Sequence, residues 1–240
     1  WVTGLGFMTK TFPAVLIPVA LRYFSSWSMR GRYLATAVLA VAVVALPFLV
    51  LAPRLLVAHA QVVFGRASWE TPWALLEGYR GVGIVAPLAD HFDPGQASWQ
   101  NHPSTLPWLY VNLGLAALLL LLFVPRARWQ TPTGAVAAAG LTVNILLVFS
   151  KGYSPQFLVY VLPFVVLLLP NRRGVVYLAL LSALTVLEWP FAFMMFPSAS
   201  WPIPFTVLGR TAIFLLLSLE YLAVLHPSLA QAGRRLARPA

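Results

Sequence analysis

Not one residue of this chain is cysteine, and only six of its 240 residues are acidic. Without cysteine there is no disulfide framework and no thiolate chemistry, so any large loop must be held by packing alone. Charged residues of both signs reach only 9%, against 60% hydrophobic, and mean hydropathy is +0.81. Those values exclude a soluble domain with a polar exterior and put the chain in lipid. There is no internal repeat of about 20 to 50 residues and no low-complexity linker, which leaves a single helical bundle as the simplest organisation. Lysine occurs only as Lys10 and Lys151.

What is present in quantity is apolar sequence. A bilayer crossing needs about 20 predominantly apolar residues. Windows of that kind run from Gly4 to Leu21, Tyr33 to Ala52, Leu106 to Pro125, Pro132 to Phe149, Pro155 to Leu169, Val175 to Met195 and Phe205 to Leu225. The expected fold is therefore all-α, a polytopic transmembrane bundle of about seven spans forming one domain over residues 1–240. The fifth window is short and contains Pro163, so a tilted or broken helix is expected there. The chain begins at Trp1 with an apolar stretch almost at once, which reads as the carboxy-terminal part of a longer polytopic protein.

Charge sets the expected orientation. Arg22, Arg30, Arg32, Arg126, Arg128, Arg172, Arg173, Arg234, Arg235 and Arg238 fall in alternate connections that contain no acidic residue. That is the pattern of cytoplasmic loops, and it places the carboxy terminus in the cytoplasm. The net charge of +10 is thereby explained as anchoring to anionic membrane lipid, and nucleic acid is not an expected partner. The other connections face outward: residues 53–105, the segment around Lys151, and 196–204. Glu70, Glu77, Asp90 and Asp93 all lie in the first of these, an unusually long connection for a compact bundle and hence a candidate for function.

Within that loop, residues 54–64 read as an interfacial helix carrying Leu55, Leu56, Val57, Val62, Val63 and Phe64. A second helix is signalled by Thr71 as its cap and Pro72 at its first position, with Trp73 and Glu77 on one face. Trp69, Trp73, Tyr79, Phe92, Trp99 and Trp108 form either an ordinary aromatic belt or a wall on which a sugar ring stacks. Asp90, His91, Asp93 and His102 include carboxylate and imidazole, both ligands for divalent cations, but beside Pro94 and Gly95 they read equally as a turn. Their spacing fits no strong metal signature, and neither a metal nor another cofactor is expected.

The most informative segment is residues 150–157, Ser-Lys-Gly-Tyr-Ser-Pro-Gln-Phe, a polar hinge between two apolar runs. It puts Lys151 at a membrane–water boundary with Tyr153, Ser154 and Gln156 as hydrogen-bonding groups, where a phosphate head group can be met. Lys10 lies about 9 Å into the first window at 1.5 Å per residue. It either snorkels to the outer head groups or joins Lys151 in clamping one phosphate. Near the outer ends of the last two windows, Glu188 and Arg210 are expected to form a structural ion pair. Glu220, deeper and toward the cytoplasm, has no evident partner and reads as protonated or hydrogen-bonded across helices.

Two segments carry a family resemblance. Residues 4–13, Gly-Leu-Gly-Phe-Met-Thr-Lys-Thr-Phe-Pro, with Leu16 and Pro18 after them, look like the lysine–proline segment of bacterial GT-C glycosyltransferases that use polyprenol-phosphate sugars. Residues 151–158, leading to Leu162, Pro163 and Phe164, resemble the Ser-Pro-Gln-aromatic-Leu segment of glycosyltransferase family 87, the mannosyltransferase-like group. The resemblance implies an enzyme of the bacterial inner membrane. It would move a hexose, often mannose, from a polyprenyl-phosphate carrier to a hydroxyl of a glycan or glycolipid acceptor, with inversion. A carboxylate would deprotonate the acceptor while cations stabilise the departing lipid phosphate. The family's catalytic acid is expected upstream of the segment matching Lys10, so none is assigned in this chain. Lys10 and Lys151 are the expected phosphate ligands, supported by Tyr153, Ser154 and Gln156. Trp69, Glu70, Trp73, Glu77, Asp90, Asp93 and His102 are candidates for sugar or acceptor contact. The alternatives are a secondary transporter or lipid flippase, with Glu188, Arg210 and Glu220 lining a pathway, and a purely structural membrane subunit.

Overall fold

Proline and caps decide where the helices begin and break. The computed structural model of the chain describes residues 1–10, 12–81, 95, 102–123, 131–195 and 201–227, and the described part is all-helical. The first expected span is not one helix. Helix α1 (Val2–Thr9) stops at Lys10, whose backbone is extended, and a 3-10 turn (Phe12–Leu16) leads into α2 (Ile17–Tyr23). Pro13 accounts for the break, since proline has no N–H with which to continue the α-helical ladder onto the Thr9 carbonyl. Helix α3 (Trp27–Leu51) starts where the Ser26 hydroxyl accepts from the Met29 amide, six residues before the apolar window.

The outer loop opens with α4 (Pro53–Gly65), which leaves Leu55, Val57 and Phe64 exposed, and continues with the short α5 (Pro72–Leu76) capped by Thr71. Helix α6 (Trp108–Phe123) returns the chain, and α7 (Pro132–Phe149) follows with Thr131 as its cap. After the hinge come a 3-10 helix (Pro155–Tyr160), α8 (Leu162–Leu168), α9 (Arg172–Val186) capped by Asn171, and a wide irregular turn (Leu187–Met195). The last described element is α10 (Pro202–Leu225). Among the described residues, four helical segments, Trp27–Leu51, Pro132–Phe149, Arg172–Met195 and Pro202–Leu225, are long and apolar enough to cross a membrane. The remaining three expected spans only overlap shorter apolar helices, Phe12–Tyr23, Trp108–Leu121 and Pro155–Leu168, which fall short of that length.

Helix α7 is the centre of the bundle, with residues on every side buried, from Gly134 and Ala137 to Ile145 and Leu147. Its main partner is α10, whose buried positions Ile203, Val207, Arg210, Phe214, Leu217, Tyr221 and Leu225 recur three or four apart. The intervening Phe205, Leu208, Leu215 and Leu219 are equally apolar yet exposed, as lipid-facing positions are. Helix α3 is peripheral by contrast and meets α1 closely. A Cβ on Gly4 would lie 2.3 Å from the Ala37 carbonyl oxygen, so only glycine permits that approach.

Candidate functional site

The hinge is positioned by the outer loop folding back onto it. The Trp69 amide donates to the Lys151 carbonyl (3.0 Å) and the Tyr153 amide donates to the Trp69 carbonyl (3.1 Å), making a single parallel bridge between Trp69 and Gly152. The Trp69 indole lies flat against Gly152, where an added Cβ would stand 2.1 Å from a ring carbon. Thr71 works twice: its hydroxyl accepts from the Ala74 amide to cap α5 and donates to the Lys151 carbonyl at 3.2 Å. Trp73 reaches down from α5, donating its indole N–H to the Val148 carbonyl (2.8 Å) and packing on Phe149 and Trp108. Those bonds satisfy a carbonyl that the end of α7 leaves without an intrahelical partner.

Lys151 emerges from this joint. Its Nζ donates to the Phe64 carbonyl (3.0 Å) and the Arg66 carbonyl (3.4 Å), and it stands 5.2 Å from the centre of the Trp108 ring. The salt bridges among the described residues are Arg173–Glu220 and Arg210–Glu188, so no carboxylate of these residues lies within 4.0 Å of the Lys151 ammonium. Burial pulls its pKa below the ordinary lysine value, and the more distant Glu77 acts in the opposite sense. Lys10 lies on another flank of the same hinge region, its Nζ 4.3 Å from the centre of the Phe157 ring. The two ammonium groups thus have different partners, and both partner sets adjoin residues 151–157. Ser154 begins the 3-10 helix with its carbonyl accepting from the Phe157 amide (2.8 Å), while Gln156 is exposed.

Beneath the hinge is a buried charge cluster. Arg210 on α10 forms an ion pair with Glu188, donates through Nη2 to the Glu70 carbonyl (2.7 Å) and lies 3.5 Å over the Tyr153 ring. Glu188, Arg210 and Tyr153 are 1%, 3% and 1% exposed. Burial raises the Tyr153 phenol above the usual tyrosine range, with Arg210 opposing. Glu70 is also buried and adopts a left-handed backbone, φ 50°, which few non-glycine residues do. Tyr153 then meets Phe157 edge to face at 5.6 Å, so Phe157 and Tyr153 form a ring pair flanked by Lys10 on one side and Arg210 on the other.

The other loop candidates tie the loop's ends together. The Glu77 carboxylate accepts from the Ser68 hydroxyl on one side and, on the other, from the Thr105 amide (2.7 Å), the Leu106 amide (3.0 Å) and the Ser104 hydroxyl (3.2 Å). Burial pushes its pKa up, but these bonds outweigh burial and hold it below the ordinary glutamate value. His102 stacks on Tyr79 at 4.5 Å and its Nε2 is 2.7 Å from the Ser68 carbonyl. Asp90 and Asp93 lie outside the described residues, and among the described ones no group of three or more histidines and carboxylates is placed to hold a metal. Glu220 pairs with the exposed Arg173 at 3.5 Å, a partner that sequence reading did not supply.

Sequence reading also did not find Ser68, Ser104, Phe157 or the Trp69–Gly152 joint. Each depends on contacts across long sequence separations; the one local signal was a glycine following the hinge lysine, a position where a bulky group can approach. No protein-family model, curated protein or solved structure matches the chain.

Proposed function

We propose that this protein is a membrane glycosyltransferase that takes a hexose, mannose in the first instance, from a polyprenyl-phosphate carrier and passes it to a hydroxyl of a glycan or glycolipid at the hinge face. The observation that carries the reading is the Lys151 ammonium, half-buried at the end of α7, held by two backbone carbonyls and lacking a close carboxylate among the described residues. A lipid phosphate arriving there completes its coordination in a partly desolvated setting, where a charge-assisted bond is strong. Lys10, carried on Phe157 at the other flank, is the second cation. As the sugar–phosphate bond breaks, charge grows on the departing phosphate, and fixed ammonium groups stabilise that growth more than the ground state. Tyr153 is fully buried and acts as a positioning residue, holding the hinge between Phe157 and Arg210.

The three shorter apolar helices then count as further crossings, giving seven spans with residues 53–105 on the outer side. On this reading the arginine-rich connections and the carboxy terminus lie in the cytoplasm of a bacterial cell, with the protein in the inner membrane. The test is hexose transfer from a polyprenyl-phosphate donor by the purified full-length protein in liposomes. Lys151→Ala should lower turnover roughly 10- to 100-fold, as loss of a charged hydrogen bond of about 1.5–3 kcal/mol requires, with Lys10→Ala lower by a smaller factor. Unchanged turnover in both variants removes the phosphate assignment, and movement of a labelled solute with no glycosylated product replaces the enzyme by a transporter.

A further inference from the structure

Away from the hinge, a cavity of about 770 Å³ opens between α2, α3, α6 and α7, reaching α7 at Thr142 in the middle of that helix. Its walls are apolar, built from residues such as Leu34, Leu119 and Leu120, and the one hydroxyl among its lining residues, that of Thr142, is already spent on the Ala138 carbonyl at 2.8 Å. Its rim is cationic: Arg22 ends α2 and Arg30 begins α3. Arg30 donates through Nε to the Phe24 carbonyl (2.9 Å) and stands 4.7 Å over the Trp27 ring, which is itself 81% exposed. The terminal nitrogens of Arg30 and the whole guanidinium of Arg22 have no hydrogen-bond partner among the described residues.

Depth identifies the occupant. Thr142 lies about 15 Å along α7 from Pro132 at 1.5 Å per residue. That is half of a hydrocarbon core about 30 Å thick, so the groove reaches from the arginine rim to the bilayer midplane and no further. A ligand that fits has an anionic head, an apolar tail one leaflet long and free lateral access.

We infer that this groove is a binding site for one anionic glycerophospholipid of the surrounding leaflet, its phosphate on Arg22 and Arg30 and an acyl chain against α6 and α7. The volume is in the usual range for a small-molecule site, and planar guanidinium groups suit phosphate oxygens. Trp27 sits at the level of the head group, where indoles are favoured. The site is separate from the donor site proposed at the hinge, and it needs no catalytic activity to be detected.

The full chain, purified in mild detergent, is offered phosphatidylglycerol or phosphatidylcholine with identical acyl chains, and retained lipid is counted by native mass spectrometry. One phosphatidylglycerol should be retained, with a preference of roughly tenfold over phosphatidylcholine. Arg22→Gln with Arg30→Gln should bring that preference close to unity. Gly31→Leu provides a second arm that leaves both arginines in place. Gly31 lines the groove and an added Cβ there meets nothing within 4 Å, so a larger side chain can enter the space beside the arginine rim and should lower retention of either lipid several-fold. Equal retention of the two lipids by the unaltered protein overturns the inference. So does phosphatidylglycerol retention by the Gly31→Leu variant at the unaltered level. A polyprenyl phosphate that displaces phosphatidylglycerol at equal concentration also overturns it, by assigning the groove to a longer carrier lipid.

Discussion

Removing Arg210 should harm this protein far more than its hydrogen bonds alone indicate. Arg210→Met deletes the ion pair with Glu188, the bond to the Glu70 carbonyl and the stacking on Tyr153. Its largest effect is on the group left behind, because Glu188 is 1% exposed and loses its only cation among the described residues. Orphaning a buried charge costs about 3–5 kcal/mol. Losing the charge-assisted bond to the Glu70 carbonyl adds about 1.5–3 kcal/mol. At about 3 °C per kcal/mol for a chain of this size, the unfolding midpoint should fall by roughly 15–25 °C. The double variant Arg210→Met with Glu188→Leu removes both charges, so the orphaning term disappears while the loss at Glu70 remains. It should recover at least half of the shift, a coupling of about 2–3 kcal/mol between the two sites. Tryptophan fluorescence during thermal unfolding in detergent reports all the variants, since the chain has nine tryptophans. If the double variant is as unstable as the sum of its parts, the pair is not a coupled buried unit and the energetic account fails.

Three further substitutions test the joint between loop and hinge. Gly152→Ala introduces a methyl group 2.1 Å from the Trp69 ring and should destabilise the protein by about 1–3 kcal/mol through overpacking, seen as a lower midpoint and faster proteolysis of the 53–105 loop. Trp73→Phe keeps the ring but leaves the Val148 carbonyl without its indole donor, so a loss of about 1 kcal/mol is expected, and no loss would show that water replaces the bond. Glu77 has a folded pKa below its ordinary 4.5, so the stability it contributes is complete above pH 4.5 and drains away as pH falls through the lower folded value. Glu77→Gln should therefore flatten the acid limb of a stability–pH curve measured in detergent while lowering stability at pH 7, and an unaltered acid limb would deny Glu77 that role.

Local chemistry was legible wherever one residue type dictates one geometry. Thr71 with Pro72 marked the start of α5, the apolar window from Pro132 to Phe149 matched α7, and the apolar stretch after Arg54 marked α4 to within a residue or two. Hydropathy failed at finer questions for a physical reason. On α10, Phe214 faces protein and Leu215 faces the outside, yet both are fully apolar, so the pattern that separates core from surface in water carries no signal in lipid. The first window also misled, because summed hydropathy is indifferent to the backbone break that Pro13 imposes beside Lys10.

Composition and helix-forming runs pointed by themselves to an all-helical membrane protein, since apolar length is a property of contiguous residues. Which of those polar groups meet was decided only in three dimensions. Glu70 and Arg210 are distant in sequence and joined by one hydrogen bond, as are Lys151 and Phe64, and such pairs form only when α7 and α10 pack and the outer loop returns to the hinge. No local propensity encodes that return; it follows from the burial and hydrogen bonding that become available once the bundle has closed.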